Sequence, residues 1–321
     1  MIKKAPIAFA PYLKTVIWGG DKICKYKNIT CPEPKIGESW EISAVPGNES
    51  VVSEGEYKGL TLTRLIEDYG EELLGKKVVE KYGLNFPLLI KFIDAADNLS
   101  VQVHPDDALA KERHNSLGKT EMWYIIATDE DAKIYAGLNV KMTPDDYVKR
   151  VKEGKFAETL AVHDSRPGDV FFLPAGRVHA IGAGNLLAEI QETSDITYRI
   201  YDYDRKDANG KGRELHTEQA KDAIDYTVWP DYRTPSPSDN EARAELVSCE
   251  HFTTHRIKVD GEETVGMDGS SFCVLICIEG EVTVECSEGS YRLTQGHTVL
   301  MPASSGNFIL KGNGLLLASG V

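Results

Sequence analysis

The chain is a long succession of short segments that are alternately apolar and polar or continuously apolar, each bounded by turn-forming residues. They include SWEIS (39–43), FPLLIKFIDA (86–95), LSVQVH (99–104), EMWYIIAT (121–128), AKIYAGL (132–138), DVFFLP (169–174), LLAEIQET (186–193) and TYRIYDY (197–203). Side chains alternate between the two faces of a β-strand, and frequent turns favour many short strands. The pattern therefore predicts a mainly β chain folded as a barrel or sandwich.

Helical patterns interrupt these strands at four places. Residues 61–83 have apolar positions at helical spacing, and we expect a break near Gly70 or Gly75. Shorter helices are predicted at 104–115, 143–154 and 216–226, where Pro, Thr or acidic residues stand at the expected N-termini. We therefore expect inserted helices around the β structure.

One sequence frame occurs twice. In RPGDVFFLPAGRVHAIG and TQGHTVLMPASSGNFIL a glycine, Gly168 or Gly296, stands six residues before a proline. Five residues beyond each proline the copies differ, with His179 in the first and Asn307 in the second. The frame predicts two related β domains, and the difference indicates a role for His179 beyond packing.

Composition shifts once along the chain. Residues 229–242, WPDYRTPSPSDNEA, are rich in proline, serine and acidic residues, as domain boundaries often are. We therefore predict a larger domain over 1–228, a linker over 229–242 and a smaller β domain without a metal site over 243–321.

The formal net charge is −14 over 321 residues. This charge argues against nucleic acid and anionic membranes as partners, and it requires a local basic pocket for any anionic substrate. No apolar run approaches a membrane span or a signal peptide, so a cytoplasmic location is expected. The six cysteines contain no CxxC pair and are expected to be reduced, without a cysteine metal site.

Three separate segments offer metal-binding side chains. Alternation places Ser100, Gln102 and His104 on one strand face, with valines on the other. If neighbouring strands aim Glu121 and His179 at the same point, two imidazoles and a carboxylate would suit catalytic zinc or non-haem Fe(II). Alternatively, each histidine is a hydrogen-bonded structural residue, Gln102 is a surface residue and Glu121 pairs with Lys119. The other histidines show no matching context.

Residues 184–205 add a carboxylate and an arginine near His179. Glu189 and Arg199 both lie in strand patterns of this stretch. The simpler alternative is that Arg199 pairs with Asp202 or Asp204 on a solvated face. For Trp40, between Glu38 and Glu41, the sequence favours a role as a core anchor with charges at its edge.

Taken together, six segments in order resemble the short bacterial form of type I mannose-6-phosphate isomerase. They are PYLKTVIWGG, GESWEISA, LLIKFIDAADNLSVQVHPDD, GKTEMWYII, PAGRVHAIG and SDITYRIYDYDR, and the resemblance covers nearly the whole chain. It implies a cupin fold, which is a double-stranded β-helix or jelly roll. It also implies a catalytic metal, normally one Zn²⁺ per chain, and interconversion of mannose 6-phosphate and fructose 6-phosphate.

The resemblance also assigns roles to residues. The metal ligands of the family fall on His104, Glu121 and His179, and the glutamine that joins them in longer members matches Gln102. The catalytic arginine matches Arg199, a possible base matches Glu189, and Lys119 matches a lysine near the metal. Lys91 and Ser100 match positions tied to substrate phosphate, and Trp18 is a further candidate substrate contact.

Aldose–ketose isomerisation moves a proton between two carbons through an enediol, so a base and stabilisation of the oxyanion are needed. Glu189 is the candidate base, because burial of a carboxylate raises its pKa, and Arg199 is the candidate stabiliser of the enediolate. The alternatives are an isomerase of another phosphosugar, an Fe(II) oxygenase and a non-catalytic sugar-phosphate sensor. A monomer or a homodimer is expected.

Overall fold

The computed structural model describes residues 1–206, 210–235 and 241–321. Six helices are interspersed among the thirteen strands that the structure describes over the first part of the chain. They are β1 (Ile7–Ala10), β2 (Tyr12–Gly20), α1 (Lys22–Tyr26), β3 (Ile36–Ile42), β4 (Val51–Val52), α2 (Leu62–Leu74), α3 (Lys76–Tyr82), β5 (Leu88–Ala95), β6 (Val101–Val103), α4 (Asp107–His114), β7 (Glu121–Thr128), β8 (Lys133–Leu138), α5 (Pro144–Lys152), β9 (Leu160–Asp164), β10 (Val170–Leu173), β11 (His179–Ile181), β12 (Asn185–Glu192), β13 (Tyr198–Tyr201) and α6 (Thr217–Ala223).

The end of the chain is β structure. Its strands are β14 (Arg243–Ser248), β15 (Thr253–Val265), β16 (Cys273–Cys286), β17 (Gly289–Thr294), β18 (Thr298–Met301) and β19 (Phe308–Gly320). The predicted linker over 229–242 falls partly on residues 236–240, which lie outside the described residues. The predicted division into 1–228 and 243–321 remains a prediction.

Two antiparallel sheets enclose the region that carries the candidate site. The order of one is β10-β7-β12-β5-β2-β3, and that of the other is β13-β6-β11-β8-β9. We call this pair of sheets the N-terminal barrel. Apolar side chains from both sheets meet between them, among them Trp123, Phe171 and Leu187 from the first and Ile134 and Ile181 from the second. The mainly β, cupin-type fold with inserted helices is thereby confirmed.

The third sheet crosses the predicted domain boundary. Its order is β14-β15-β19-β16-β18-β1-β4, with β17 paired to β16. Ile7 of β1 lies opposite Leu300 of β18, so the N-terminus of the chain extends the C-terminal sheet. An unpaired edge strand exposes a row of backbone donors and acceptors, and β1 covers that edge.

A large apolar core joins the two β structures. The outer face of the six-stranded sheet contributes Ile90, Phe92 and Met122, and the C-terminal sheet contributes Ile276 and Leu317 to the same cluster. The helices α2 and α3 pack into this core as well. The N-terminal barrel therefore has its own polar and apolar interior on one side of the sheet and a shared core on the other.

The inserted helices agree with the sequence predictions. Thr61 caps α2 by accepting a hydrogen bond from the backbone N–H of Arg64. The helical path is interrupted at Gly70, whose φ is 43°, and ends at Gly75, whose φ is 96°. Both angles lie in the left-handed region that glycine tolerates, which explains the predicted break. Among the described residues, no helix is both long enough and apolar enough to cross a membrane.

The prediction that every cysteine is reduced was wrong for one pair. Cys24 in α1 and Cys31 in the loop that follows form a disulfide over a sequence separation of 7. The sequence shows no CxxC pair, and only the chain reversal after α1 brings these two residues together. The remaining cysteines, Cys249, Cys273, Cys277 and Cys286, are free thiols.

Candidate metal centre

The strand register of the five-stranded sheet places three polar side chains side by side. Gln102 of β6 lies opposite His179 of β11, and Arg199 of β13 lies opposite Gln102. Directly paired residues project from the same face of a sheet, so all three face the barrel interior. Val101 and Val103 project from the other face into a separate apolar cluster under α5 and α6. The predicted alternation around Gln102 is confirmed.

His104, Glu121 and His179 form a compact buried cluster. The Nε2 atom of His104 lies 3.6 Å from Oε2 of Glu121, and Nε2 of His179 lies 3.3 Å from Oε1. The potential ligand atoms all lie within 4.8 Å of one another. No side chain of the three is more than 2% exposed. The residue directly after β6 and the first residues of β7 and β11 thus converge on one point, as the sequence predicts.

The outer nitrogens of both imidazoles are held by backbone carbonyls. Nδ1 of His104 lies 2.8 Å from the carbonyl oxygen of Ile196, and Nδ1 of His179 lies 2.8 Å from that of Arg177. These bonds assign the proton to Nδ1 and leave the lone pair of Nε2 directed at Glu121. Burial lowers the pKa of His179 to about 4 and lowers that of His104 as well, so both imidazoles are neutral.

The donor set fits a divalent metal. Nε2 of His104 and Oε1 of Glu121 are buried without a hydrogen-bond partner, which is costly unless another group satisfies them. The side-chain amide of Gln102 reaches the same point, with its Nε2 at 3.2 Å from Nε2 of His179. Two neutral imidazoles and a carboxylate around a shared point suit a transition-metal ion and do not choose between ions.

Two buried lysines, Lys119 and Lys91, pair with the carboxylates of the site. Lys119 lies 2.9 Å from Oε2 of Glu121, so the predicted alternative of a Lys119–Glu121 ion pair is observed together with the ligand cluster. Lys91 lies 3.3 Å from Oε2 of Glu189, whose Oε1 accepts a hydrogen bond from the indole of Trp123. The site therefore combines a metal-binding set with a concentration of positive charge, in a chain of net charge −14.

The pKa of Glu189 is shifted in the direction opposite to the one expected from the sequence. Burial raises it, but the charges of Lys119 and Lys91 outweigh burial and hold the pKa well below its ordinary value. Burial raises the pKa of Glu121, which Lys119 offsets only in part. The sequence indicates that Glu189 is buried, but the proximity of both lysines depends on the fold.

Two side chains of the neighbouring strand β3, Trp40 and Glu38, contact Lys91. Trp40 of β3 lies opposite Lys91, and the Lys91 ammonium lies 5.0 Å from the centre of its ring. The indole of Trp40 donates a hydrogen bond of 2.6 Å to Glu38, which lies 3.9 Å from Lys91. The sequence favoured Trp40 as a core anchor, and neither Glu38 nor Trp123 was predicted at the site. Glu38 stands two positions before Trp40, and Trp123 stands two positions after Glu121. Alternation along a strand places each on the same face as its neighbour at the site, and this spacing is the signal that could have identified them.

Arg199 is half-buried on β13, opposite Gln102. One guanidinium nitrogen donates a 3.1 Å hydrogen bond to the carbonyl oxygen of Glu214. The alternative that Arg199 forms an ion pair with Asp202 or Asp204 is not observed among the described residues. Asp202 instead binds Arg205 and Arg213. Burial lowers the pKa of Arg199 from its very high ordinary value.

The remaining predicted substrate residues, Ser100 and Trp18, are also buried. Ser100 directly precedes β6, and Trp18 packs in the apolar part of the barrel. Asn307, in the second copy of the sequence frame, is exposed. The interior of the C-terminal sheet is filled by apolar side chains such as Leu275, Val299 and Phe308. The absence of a metal near Asn307 remains a prediction.

Comparison with known proteins agrees with this geometry. Residues 8–142 match the family described as phosphomannose isomerase type I, catalytic domain, and residues 242–321 match mannose-6-phosphate isomerase, cupin domain. Mannose-6-phosphate isomerase ManA of Bacillus subtilis is 38% identical over 96% of both chains. The chain belongs to the type I phosphomannose isomerase family.

Other members of the family extend the match over the whole chain. The mannose-6-phosphate isomerase of Streptococcus mutans is 35% identical over 98% of both chains. A crystal structure of a mannose 6-phosphate isomerase from Bacillus subtilis superimposes with a TM-score of 0.89 at 34% identity, covering 98% of this chain and 99% of that one. A putative mannosephosphate isomerase from Archaeoglobus fulgidus gives a TM-score of 0.82 at 25% identity, covering 99% and 98%. The resemblance predicted from the six sequence segments is confirmed.

Proposed function

We propose that this phosphomannose isomerase family member interconverts mannose 6-phosphate and fructose 6-phosphate in a metal-dependent reaction. The observation that carries the proposal is the buried His104–Glu121–His179 cluster with Lys91, Lys119 and Glu189 beside it. An enediolate develops negative charge at the reacting carbons, and these lysines supply positive charge beside the cluster within an acidic chain. An Fe(II) oxygenase has no comparable use for them.

We assign the catalytic cofactor as one Zn²⁺ per chain, held by His104, Glu121, His179 and Gln102. When bound there, a zinc ion acts as a Lewis acid that stabilises negative charge developing on the sugar oxygens. The carbonyls of Ile196 and Arg177 keep Nε2 of each imidazole available for this role. The charge of Lys119 beside Glu121 favours the ionised carboxylate.

The proton transfer is assigned to Glu189. Its carboxylate is ionised at neutral pH because Lys119 and Lys91 lower its pKa, so it is in the form that accepts a proton. Lys91 and the Trp123 indole fix both carboxylate oxygens. Arg199, on the same sheet face as Gln102, is assigned as the permanent positive charge that stabilises the enediolate.

Further assignments follow from the family resemblance. We propose that Lys91 and Ser100 contact the substrate phosphate and that Trp18 borders the substrate. The chain is expected to act in the cytoplasm, as a monomer or homodimer. Disulfides rarely persist in the cytoplasm, so a Cys24–Cys31 bond found oxidised in protein whose thiols are alkylated at lysis would contradict that location.

The decisive experiment is a coupled assay with mannose 6-phosphate as substrate and fructose 6-phosphate as the measured product. We expect turnover in the purified protein, loss after chelation and recovery on addition of Zn²⁺. H179Q should abolish zinc-dependent activity. H163Q, which changes a half-buried histidine on β9 away from the cluster, is the matched control and should retain activity.

Each failure would have a different meaning. No turnover in zinc-loaded protein would overturn the substrate assignment, and other phosphosugars would be assayed next. Oxygen consumption by iron-loaded protein would favour the oxygenase. Full activity after verified removal of all metal would overturn metal dependence.

A further inference from the structure

A second group of potential metal ligands lies apart from the His104–Glu121–His179 cluster. Asp107 is the first residue of α4, Glu192 is the last residue of β12, and His251 lies in the turn between β14 and β15. One oxygen or nitrogen of each lies within 4.8 Å of the others. The three side chains come from the N-terminal barrel, its inserted helix and the C-terminal sheet, so the group forms only when both β structures are docked.

The geometry at Glu192 is not that of an ordinary ion pair. Nδ1 of His251 lies 2.9 Å from Oε1 of Glu192, and this contact raises the pKa of His251, yet both atoms are buried without a well-formed hydrogen bond. Glu192 is only 2% exposed. The same combination of close contact and missing hydrogen bonds marks His104 and Glu121 in the catalytic cluster.

The other carboxylate atoms in this group are fixed by backbone donors. Oε2 of Glu192 accepts a 2.7 Å hydrogen bond from the N–H of Thr120, and Oδ1 of Asp107 accepts one of 2.7 Å from Gly118. Each carboxylate therefore keeps one oxygen free for the shared point. These backbone bonds hold the two side chains in place before any ion binds, which reduces the entropic cost of binding.

The charge around the group favours a cation. Asp107 and Glu192 bring two negative charges close together, and His251 is the nearest group that could balance them. Lys81 is also near, but its ammonium is bound to the carbonyl oxygen of Glu250 at 2.7 Å and to its carboxylate at 3.5 Å. A divalent cation would balance both carboxylates and accept the imidazole lone pair at the same time.

We propose that Asp107, Glu192 and His251 bind a second divalent cation, of the zinc class, that joins the C-terminal sheet to the N-terminal barrel. One imidazole and two carboxylates form a donor set typical of zinc, with a fourth position open to water. The site is separate from the catalytic cluster. Its role is structural, since it links the turn that carries His251 to the segment directly before Glu121.

The test is a count of bound metal. Protein freed of metal is dialysed against Zn²⁺, and zinc per chain is measured by mass spectrometry. We expect two equivalents in the unaltered chain and one in D107N and in H251Q, each with close to full isomerase activity. Asn at position 107 keeps an oxygen that can accept the bond from Gly118. E112Q, an exposed change on the same helix α4, should retain two equivalents.

A reciprocal variant separates the two sites. E121Q should keep one equivalent, and Zn²⁺ should raise its Tm, whereas E121Q/D107N should show neither effect. The same zinc count in the unaltered chain, in D107N and in H251Q overturns the proposal and leaves a Glu192–His251 ion pair. If E121Q does not fold, the comparison of the unaltered chain with D107N still decides. Because metal is counted directly, the result does not depend on the isomerase assignment.

Discussion

Three neighbours of Glu189 lower the pKa of its buried carboxylate. Its carboxylate contacts Lys91 at 3.3 Å and the Trp123 indole at 3.0 Å, and Lys119 contributes a further positive charge. These groups keep it ionised in a site where burial alone would protonate it. The low pKa makes Glu189 a weak base in the free protein, so its assigned role requires tight positioning against the substrate proton.

At this scale we predict the effect of E189Q. Gln keeps an oxygen for the Trp123 bond but cannot accept the substrate proton, so kcat should fall by roughly 10²- to 10⁴-fold. Bound metal should be unchanged, because Glu189 is not a ligand in the assignment. The exposed change E158Q serves as a control. Near-normal kcat with metal bound would show that another group is the base.

Among the elements, the short helix α1 is held between the N-terminal barrel and the C-terminal sheet by the residue that follows it. Lys27, directly after α1, binds Glu41 of β3 at 2.7 Å and the carbonyl oxygen of Gly296 before β18. Its side chain is 1% exposed and that of Glu41 is 4% exposed. The disulfide between Cys24 and Cys31 closes the same segment. This buried contact therefore connects α1, the N-terminal barrel and the C-terminal sheet.

We accordingly predict that K27M destabilises the protein strongly. Methionine fills a similar volume but leaves the Glu41 charge buried without its partner, which typically costs about 3–5 kcal/mol of the free energy of unfolding. The control is K25M on the same helix, where Lys25 pairs with Asp21 and both side chains are mostly exposed. That change should have no measurable effect. Equal urea midpoints for K27M and K25M would contradict the prediction.

The whole molecule is organised around a core that both β structures share. Phe86, before β5, packs on Phe272, before β16, with ring centres 4.7 Å apart, and the surrounding apolar cluster contains residues from both parts of the chain. In addition, β1 belongs to the C-terminal sheet although it is the first strand of the chain. Neither β structure is complete without the other.

For the whole molecule we therefore predict a single cooperative unfolding transition. All four tryptophans, at positions 18, 40, 123 and 229, precede the C-terminal strands, so their fluorescence reports on the N-terminal barrel. Far-UV circular dichroism reports on both β structures. The two urea curves should coincide, as a shared core requires. Separate midpoints would show that the C-terminal sheet unfolds independently.

Local pattern in the sequence predicted most of the strands and helices, and together with the family resemblance it pointed to the residues that the structure brings together as the His104–Glu121–His179 cluster. Alternation identified the face of Gln102 and His104, the helical spacing over 61–83 and the break near Gly70 or Gly75 were correct, and six ordered segments identified the family. These features depend on backbone preferences and on side-chain periodicity, which act over a few residues and can therefore be recognised along the chain.

Only the tertiary structure decided how distant groups affect one another. The low pKa of Glu189 arises from lysines about 70 and 100 positions earlier in the chain, and the Cys24–Cys31 bond depends on the turn after α1. The meeting of His251 with Asp107 and Glu192, and the pairing of β1 with β18, likewise depend on docking of the two β structures. Electrostatic interactions and sheet pairing act through space, so spacing along one sequence does not specify which groups will meet.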